Sequence, residues 1–216
     1  MAGDPADFIR AHTEILAPPL IPEIRLHTAS EISPIWEATE VDLDRLGLPP
    51  PFWAFAWAGG QALARYILDT PEIVAGKRVL DFAAGGGLSA IAAAKAGAAQ
   101  VTANEIDPYA GAAVVLNAAL NDAAVEVLVE DLIGRPNPGW DVILAGDVCY
   151  EKPMAERVFV WLCDLAADGA LVLVGDPNRT YLPKTGLTRI ARYSVPTTRA
   201  IEDSDVRNAV VWRVTP

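Results

Sequence analysis

Residues 77–107 read KRVLDFAAGGGLSAIAAAKAGAAQVTANEID, and this stretch decides the fold. Val79–Ala83 is a short apolar run of the kind buried in a parallel sheet. Gly85, Gly86 and Gly87 let the backbone turn tightly beside a ligand, and Leu88–Ala96 is an alanine-rich helix. Gln100–Glu105 supplies a second strand. An acidic residue stands at the end of each strand, Asp81 and Glu105, which makes the unit a cofactor-binding half-site.

The glycines alone leave two cofactors open. Gly85-x-Gly87-x-x-Ala90 satisfies a dinucleotide fingerprint, and Glu105 stands where a ribose-binding acid belongs. Asp81 separates the two. A carboxylate at the mouth of the turn repels a pyrophosphate and spoils the helix N-terminus as an anion site. S-adenosylmethionine carries an ammonium and a sulfonium and no phosphate, so the same acid attracts it. Adenosylmethionine is the expected cofactor. Asp81 is assigned to its amino end, Gly85 and Gly87 to close backbone approach, Glu105 to the ribose diol, with Ile106 beside it, and Asp131 to the adenine amino group. Trp57 is placed over the methionine or sulfonium side, where an aromatic face attracts a cation.

Working outward, βα alternation continues. Tyr109–Asn121 reads as helix, Ala124–Val129 as a strand ending in Glu130-Asp131, Asp141–Ala145 as strand, Lys152–Ala166 as helix and Ala170–Val174 as strand. Such alternation implies a parallel sheet with helices on both faces, and ligands then lie across the carboxyl ends of the strands. After Asp176 the pattern changes. A proline-bearing loop leads to Thr188–Pro196 and Asn208–Val214, expected as an antiparallel hairpin at one sheet edge. Upstream, Ala6–Leu16 reads as an amphipathic helix ended by Pro18-Pro19. Pro22–Ala29 is a further short element, Leu48–Pro51 a loop, and Gln61–Leu68 a helix. Residues 1–50 are thus expected as an extension packed on the core of one domain over 51–216.

The chain carries 17 Lys and Arg against 28 Asp and Glu, a net charge of −11, which opposes a surface that tracks nucleic-acid phosphates. Basic targets fit better. No apolar run approaches the roughly 18 residues of a membrane span, and Met1–Arg10 lacks the layout of a signal peptide, so a cytoplasmic protein is expected. Cys149 and Cys163 lack metal-ligand spacing; two packed, reduced thiols and no metal are expected. His12, His27, Trp36 and Trp53 read as structural residues.

Four stretches resemble the seven-β-strand methyltransferases, and more narrowly the electron transfer flavoprotein β-subunit lysine methyltransferases of the methyltransferase-16 group. They are FWAFAWAGGQALARYILD (52–69), VLDFAAGGG (79–87), ANEIDPYAGAAVVLN (103–117) and the D-x-x-Y tetrapeptide Asp147–Tyr150. One departure is Ala83, where the family usually has glycine. The resemblance implies a Rossmann-like seven-stranded methyltransferase sheet with helices on both faces, an antiparallel C-terminal edge strand and a short N-terminal helical extension. It implies an adenosylmethionine-dependent protein-lysine N-methyltransferase whose partner is the flavoprotein β subunit. Methylation of a small amine or a ribosomal protein, or a binding module without turnover, are the alternative functions.

Methyl transfer to an amine asks for alignment and for loss of the ammonium proton. From a reference pKa near 10.4, deprotonating a lysine at about pH 7.4 costs about 4 kcal/mol. Asp147 and Tyr150 fit as the groups that hold the amine nitrogen and aim its lone pair. Asp147 pulls the amine pKa up, so orientation is its expected role.

Overall fold

The computed structural model describes residues 4–29, 50–197 and 205–215. Trp36 and the first half of the Leu48–Pro51 loop lie outside the described residues. Strands are β1 (Glu14–Leu16), β2 (Leu26–Thr28), β3 (Arg78–Phe82), β4 (Gln100–Glu105), β5 (Glu126–Val129), β6 (Val142–Gly146), β7 (Leu171–Asp176), β8 (Leu187–Pro196) and β9 (Val206–Val214). Helices are α1 (Pro5–His12), α2 (Ala58–Asp69), α3 (Leu88–Lys95), α4 (Pro108–Leu120) and α5 (Lys152–Ala167).

Seven strands form one sheet in the order β5-β4-β3-β6-β7-β9-β8. The first five are parallel, and β9 runs antiparallel to both β7 and β8. The expected C-terminal hairpin is present, with β9 inserted between β7 and the edge strand β8. Alternate residues of the central strands serve opposite faces. Val79, Val142, Leu144 and Leu173 pack with α2, α3 and α4 on one side, while Leu80, Ile143, Val172 and Val174 pack with α5 on the other. Two-sided burial explains why these strands read as continuous apolar runs.

The N-terminal segment corrects one expectation. The helix stops at His12, because Thr13 turns extended (φ −131°, ψ 162°) and its hydroxyl donates to Ile9 O at 2.6 Å. The last residues of the expected helix become β1, which pairs antiparallel with β2. Periodicity could not separate the two, since three exposed residues carry no burial pattern. Ile9 is fully buried among Trp53, Ala54, Ala110 and Ala113. Helix α4 fixes β2 with side-chain amides: His27 N–H donates to Asn117 Oδ1 (2.7 Å), and Arg25 N–H to Asn121 Oδ1 (3.0 Å). Asn117 Nδ2 also donates to Gly86 O at 2.8 Å, so one buried side chain joins this segment to the glycine turn.

Among the described residues no helix is long and apolar enough to cross a membrane.

Candidate active site

Two helices point their first turns at the carboxyl ends of the strands, and neither has a side-chain cap of its own. Their N-cap residues are Trp57 for α2 and Gly87 for α3. The sheet supplies the missing acceptors. Asp81 Oδ2 takes the N–H of Ala90 at 2.8 Å, and Asp147 Oδ2 takes the N–H of Gly60 at 2.8 Å. Each acid thus caps the third residue of a helix from a neighbouring strand, the position a capping side chain normally serves.

Asp81 is buried with its carboxylate aimed at α3 rather than out of the turn. Burial pushes its pKa up to about 7, the Ala90 bond opposes this, and the nearby Glu105 carboxylate adds to it. The anion-binding end of α3 is therefore already filled by a carboxylate, so a pyrophosphate finds neither the free amide nor the favourable field it needs.

Glu105 ends β4 and clasps the turn. Its Oε1 accepts from Gly85 N–H at 2.6 Å and its Oε2 from Ile106 N–H at 3.1 Å. Burial raises its pKa first, and Asp107 adds to the rise. Gly87 has φ +81° and packs on Val114, where an added Cβ would sit 3.1 Å from Val114 Cγ1; glycine is required there on both counts. Ala83 also lies in the left-handed region, at φ +52°, which accounts for glycine being usual at this place.

The remaining expected cofactor residues line the same end of the sheet. The Ile106 side chain is 72% exposed beside Glu105. Asp131 is exposed after β5, and its Oδ1 accepts from Ile133 N–H at 2.9 Å in a local turn. Asn104, which sequence reading passed over, shapes this loop by donating to Leu128 O and Glu130 O. Glu105 stands on the turn with Asp107 two residues beyond it and Asp81 buried beneath, an acceptor set suited to a cationic ligand with hydroxyls.

Across from the turn, Asp147 follows β6 with φ +56°, buried beneath the start of α2. A run of small residues permits that approach. A Cβ on Gly59 would come within 2.6 Å of Asp147 Oδ2, and one on Gly146 within 3.0 Å of Gly60 Cα. Asp147 Oδ1 is gripped by Arg179, from Nε at 3.0 Å and Nη2 at 2.6 Å. Burial pushes the Asp147 pKa up to about 6 and Arg179 holds it down from going higher. The guanidinium also lies 5.6 Å from the centroid of the Trp57 ring. Arg179 is the residue that sequence reading missed. It stands 32 positions from Asp147, in a loop with no motif of its own.

Trp57 caps α2 by position, and its Nε1 donates to Phe52 O at 2.9 Å. Tyr150 is 46% exposed and packs its ring 5.5 Å from that of Phe52. Burial raises the Tyr150 pKa, and Glu151 and Glu105 add to the rise. The D-x-x-Y tyrosine is therefore within electrostatic reach of the acid on the cofactor side. Phe52, Trp57 and Tyr150 form an aromatic rim beside Asp147. Cys149 is buried and its thiol is pushed up to about 12, which suits packing and not nucleophilic attack. Both thiols are free. Among the described residues no group of His, Cys, Asp or Glu gathers that could hold a metal ion.

Comparisons with known proteins bear on the family and the fold. The family model described as ribosomal protein L11 methyltransferase matches residues 61–148. The fold is shared with the magnesium protoporphyrin IX methyltransferase of Synechocystis PCC 6803, solved with bound SAH, at TM-score 0.53 and 15% identity, covering 73% of this chain and 81% of that one. The electron transfer flavoprotein β-subunit lysine methyltransferase of Xenopus laevis is 39% identical over 98% of this chain and 87% of its own length. The Homo sapiens protein of that name is 34% identical over 97% of this chain and 81% of its own length. Similarity at this level over nearly the whole chain shows that the protein belongs to the electron transfer flavoprotein β-subunit lysine methyltransferase family.

Proposed function

We propose that this protein transfers a methyl group from S-adenosylmethionine to a lysine of the electron transfer flavoprotein β subunit. The observation that carries the proposal is the pairing of a glycine turn clasped by Glu105 with a second, aromatic-rimmed acid, Asp147, at the same end of the parallel part of one sheet. The turn suits the cofactor by its acceptors: Glu105 would take the ribose hydroxyls, Asp81 would favour the amino end from beneath the turn, and Ile106 and Asp131 would flank the adenine. When bound, adenosylmethionine supplies an electrophilic methyl carbon on a sulfonium. Tyr150 and Phe52 wall the approach of the acceptor side chain, and the apolar stem of a lysine suits such a wall. Asp147 anchors the far end of that approach.

The stretch shared with L11 methyltransferases, 61–148, takes in the glycine turn and Glu105 but stops short of Tyr150 and of Arg179. The shared portion thus holds Gly85, Gly87, Glu105 and Asp147 while Tyr150 and Arg179 lie outside it, and it is the similarity over nearly the whole chain that favours the flavoprotein over the ribosomal protein. The charge of −11 supports a locally basic protein target rather than a nucleic acid.

A cofactor-consumption assay with labelled adenosylmethionine and a cell extract, followed by mass spectrometry of the labelled proteins, tests the proposal. Lysine methylation of the flavoprotein β subunit is expected. Label confined to small amines would refute the acceptor, and no turnover with tight cofactor binding would return the chain to a binding module.

A further inference from the structure

Resting on the lysine methyltransferase reading of this site, one feature of the acceptor side gives more. The carboxylate that a lysine amine approaches is already matched by a cation of the protein itself. Asp147 Oδ1 receives both Arg179 bonds, and Oδ2 receives the Gly60 amide. An ionised carboxylate offers about four acceptor positions, so three are spent before any acceptor arrives.

We propose that Arg179 is a positioning residue for the acceptor amine, neutralising Asp147 so that the incoming lysine is held as a free amine rather than trapped as an ammonium.

The charge inventory around the pair makes the need concrete. Asp147 follows β6 directly, Asp176 ends the neighbouring strand β7, and Cys149 and Tyr150 stand on the loop that follows β6. Glu105 on the cofactor side and Glu151 act on Tyr150. Asp176, fully buried, also turns the loop by accepting Arg179 N–H at 2.7 Å, which brings the guanidinium to Asp147. Among the described residues, the carboxylates of Asp147, Asp176, Glu105 and Glu151 act on this region and the Arg179 guanidinium opposes them. A lysine entering this field without Arg179 would keep its proton, since carboxylates favour the charged form. With Arg179 in place the nearest carboxylate is balanced, and a cation beside an amine lowers the amine pKa. The N–H bond of the ammonium then breaks with the proton passing to water, leaving the lone pair for reaction. Trp57, whose face meets the guanidinium, keeps Arg179 from swinging out to solvent.

The test is the pH dependence of kcat with purified electron transfer flavoprotein, together with calorimetry of adenosylmethionine. Arg179→Gln should move the rising limb of kcat up by about one pH unit and lower kcat about tenfold below that limb, with cofactor affinity unchanged. Adding Asp147→Asn to Arg179→Gln should bring the limb back down, and Arg179→Lys should leave it near the wild-type position. An unshifted limb in Arg179→Gln, with kcat reduced evenly at every pH, would overturn the inference while leaving the methyltransferase reading intact. Should Arg179→Gln not fold, Arg179→Lys still decides, because a limb displaced upward by a full unit despite the retained cation contradicts charge balance. A wild-type protein that leaves the flavoprotein unmodified would instead overturn the functional reading itself.

Discussion

Glu105 accepts the backbone N–H of Gly85 at 2.6 Å, so the end of β4 holds the glycine turn closed with the same carboxylate that is assigned to the ribose. Binding must trade or share that bond. Glu105→Ala is expected to weaken adenosylmethionine binding by about 1–3 kcal/mol, because the diol loses its acceptor and the turn loses its clasp. Calorimetry checks this, and wild-type affinity in the variant would mean that the ribose lies elsewhere. NAD should not compete in the same titration, since Asp81 fills the amide site a pyrophosphate requires.

Asp81 makes stability depend on pH in a defined direction. Its folded pKa, about 7, is above the unfolded value, so the native state binds the extra proton. Stability from this group is therefore greatest at low pH and declines as pH rises from about 4 through 7. Asp81→Asn keeps an oxygen for Ala90 N–H and removes the charge. The variant should be more stable than wild type by up to about 4 kcal/mol at pH 8, with the difference vanishing near pH 4. Denaturant unfolding at several pH values measures it; a difference that does not change with pH would contradict the assigned burial.

Ala83 holds a left-handed backbone at φ +52°. An L-residue there costs about 1 kcal/mol relative to glycine, partly offset by glycine's freedom in the unfolded chain. Ala83→Gly is expected to raise the melting temperature slightly and to leave methyl transfer intact. A lower melting temperature would show that the alanine methyl has a packing role.

Gly59 and Gly175 meet where the first turn of α2 rests on the end of β7. A Cβ on Gly59 would lie 2.7 Å from the carbonyl carbon of Gly175, and one on Gly175 would lie 2.9 Å from that of Gly59. Gly59→Ala is expected to destabilise the protein by about 1–3 kcal/mol and to lower methyl transfer by displacing the Gly60 amide from Asp147. Thermal unfolding and turnover, measured together, decide this; unchanged values in both would mean that α2 shifts at no cost.

Asp147 and Tyr150 should affect turnover far more than cofactor binding. Tyr150→Phe is expected to lower kcat/KM for the acceptor about tenfold with adenosylmethionine affinity unchanged, and Asp147→Asn by at least as much. Single-turnover kinetics beside cofactor titration separates the two effects. Equal losses in both quantities would place these residues on the cofactor side.

The parallel sheet was legible because buried strands such as Val142–Ala145 and Leu171–Val174 are apolar throughout and alternate with helices of ordinary length. Asp81 and Glu105 were legible as acids near strand ends because their places follow from that alternation. What escaped were relationships set by tertiary closure. Arg179 reaches Asp147 only because the β7–β8 loop folds back, and Asn117 reads as an ordinary helical residue until its two bonds join β2 to Gly86. Sequence pattern gives this helix only from Gln61, whereas α2 begins at Ala58, and its small first residues let Asp147 reach the Gly60 amide. Asp81 was placed at the right strand with its carboxylate expected to face the ligand, and it caps α3 from beneath because its position in the strand alternation sends it to the helical face.

The most direct measurement of the central claim is a paired reaction of the purified protein with labelled adenosylmethionine and either electron transfer flavoprotein or ribosomal protein L11, read by peptide mass spectrometry. The account predicts methyl groups on lysine of the flavoprotein β subunit, with labelling weakened as salt rises and L11 unmodified. Methylated L11 beside an unlabelled β subunit would contradict it.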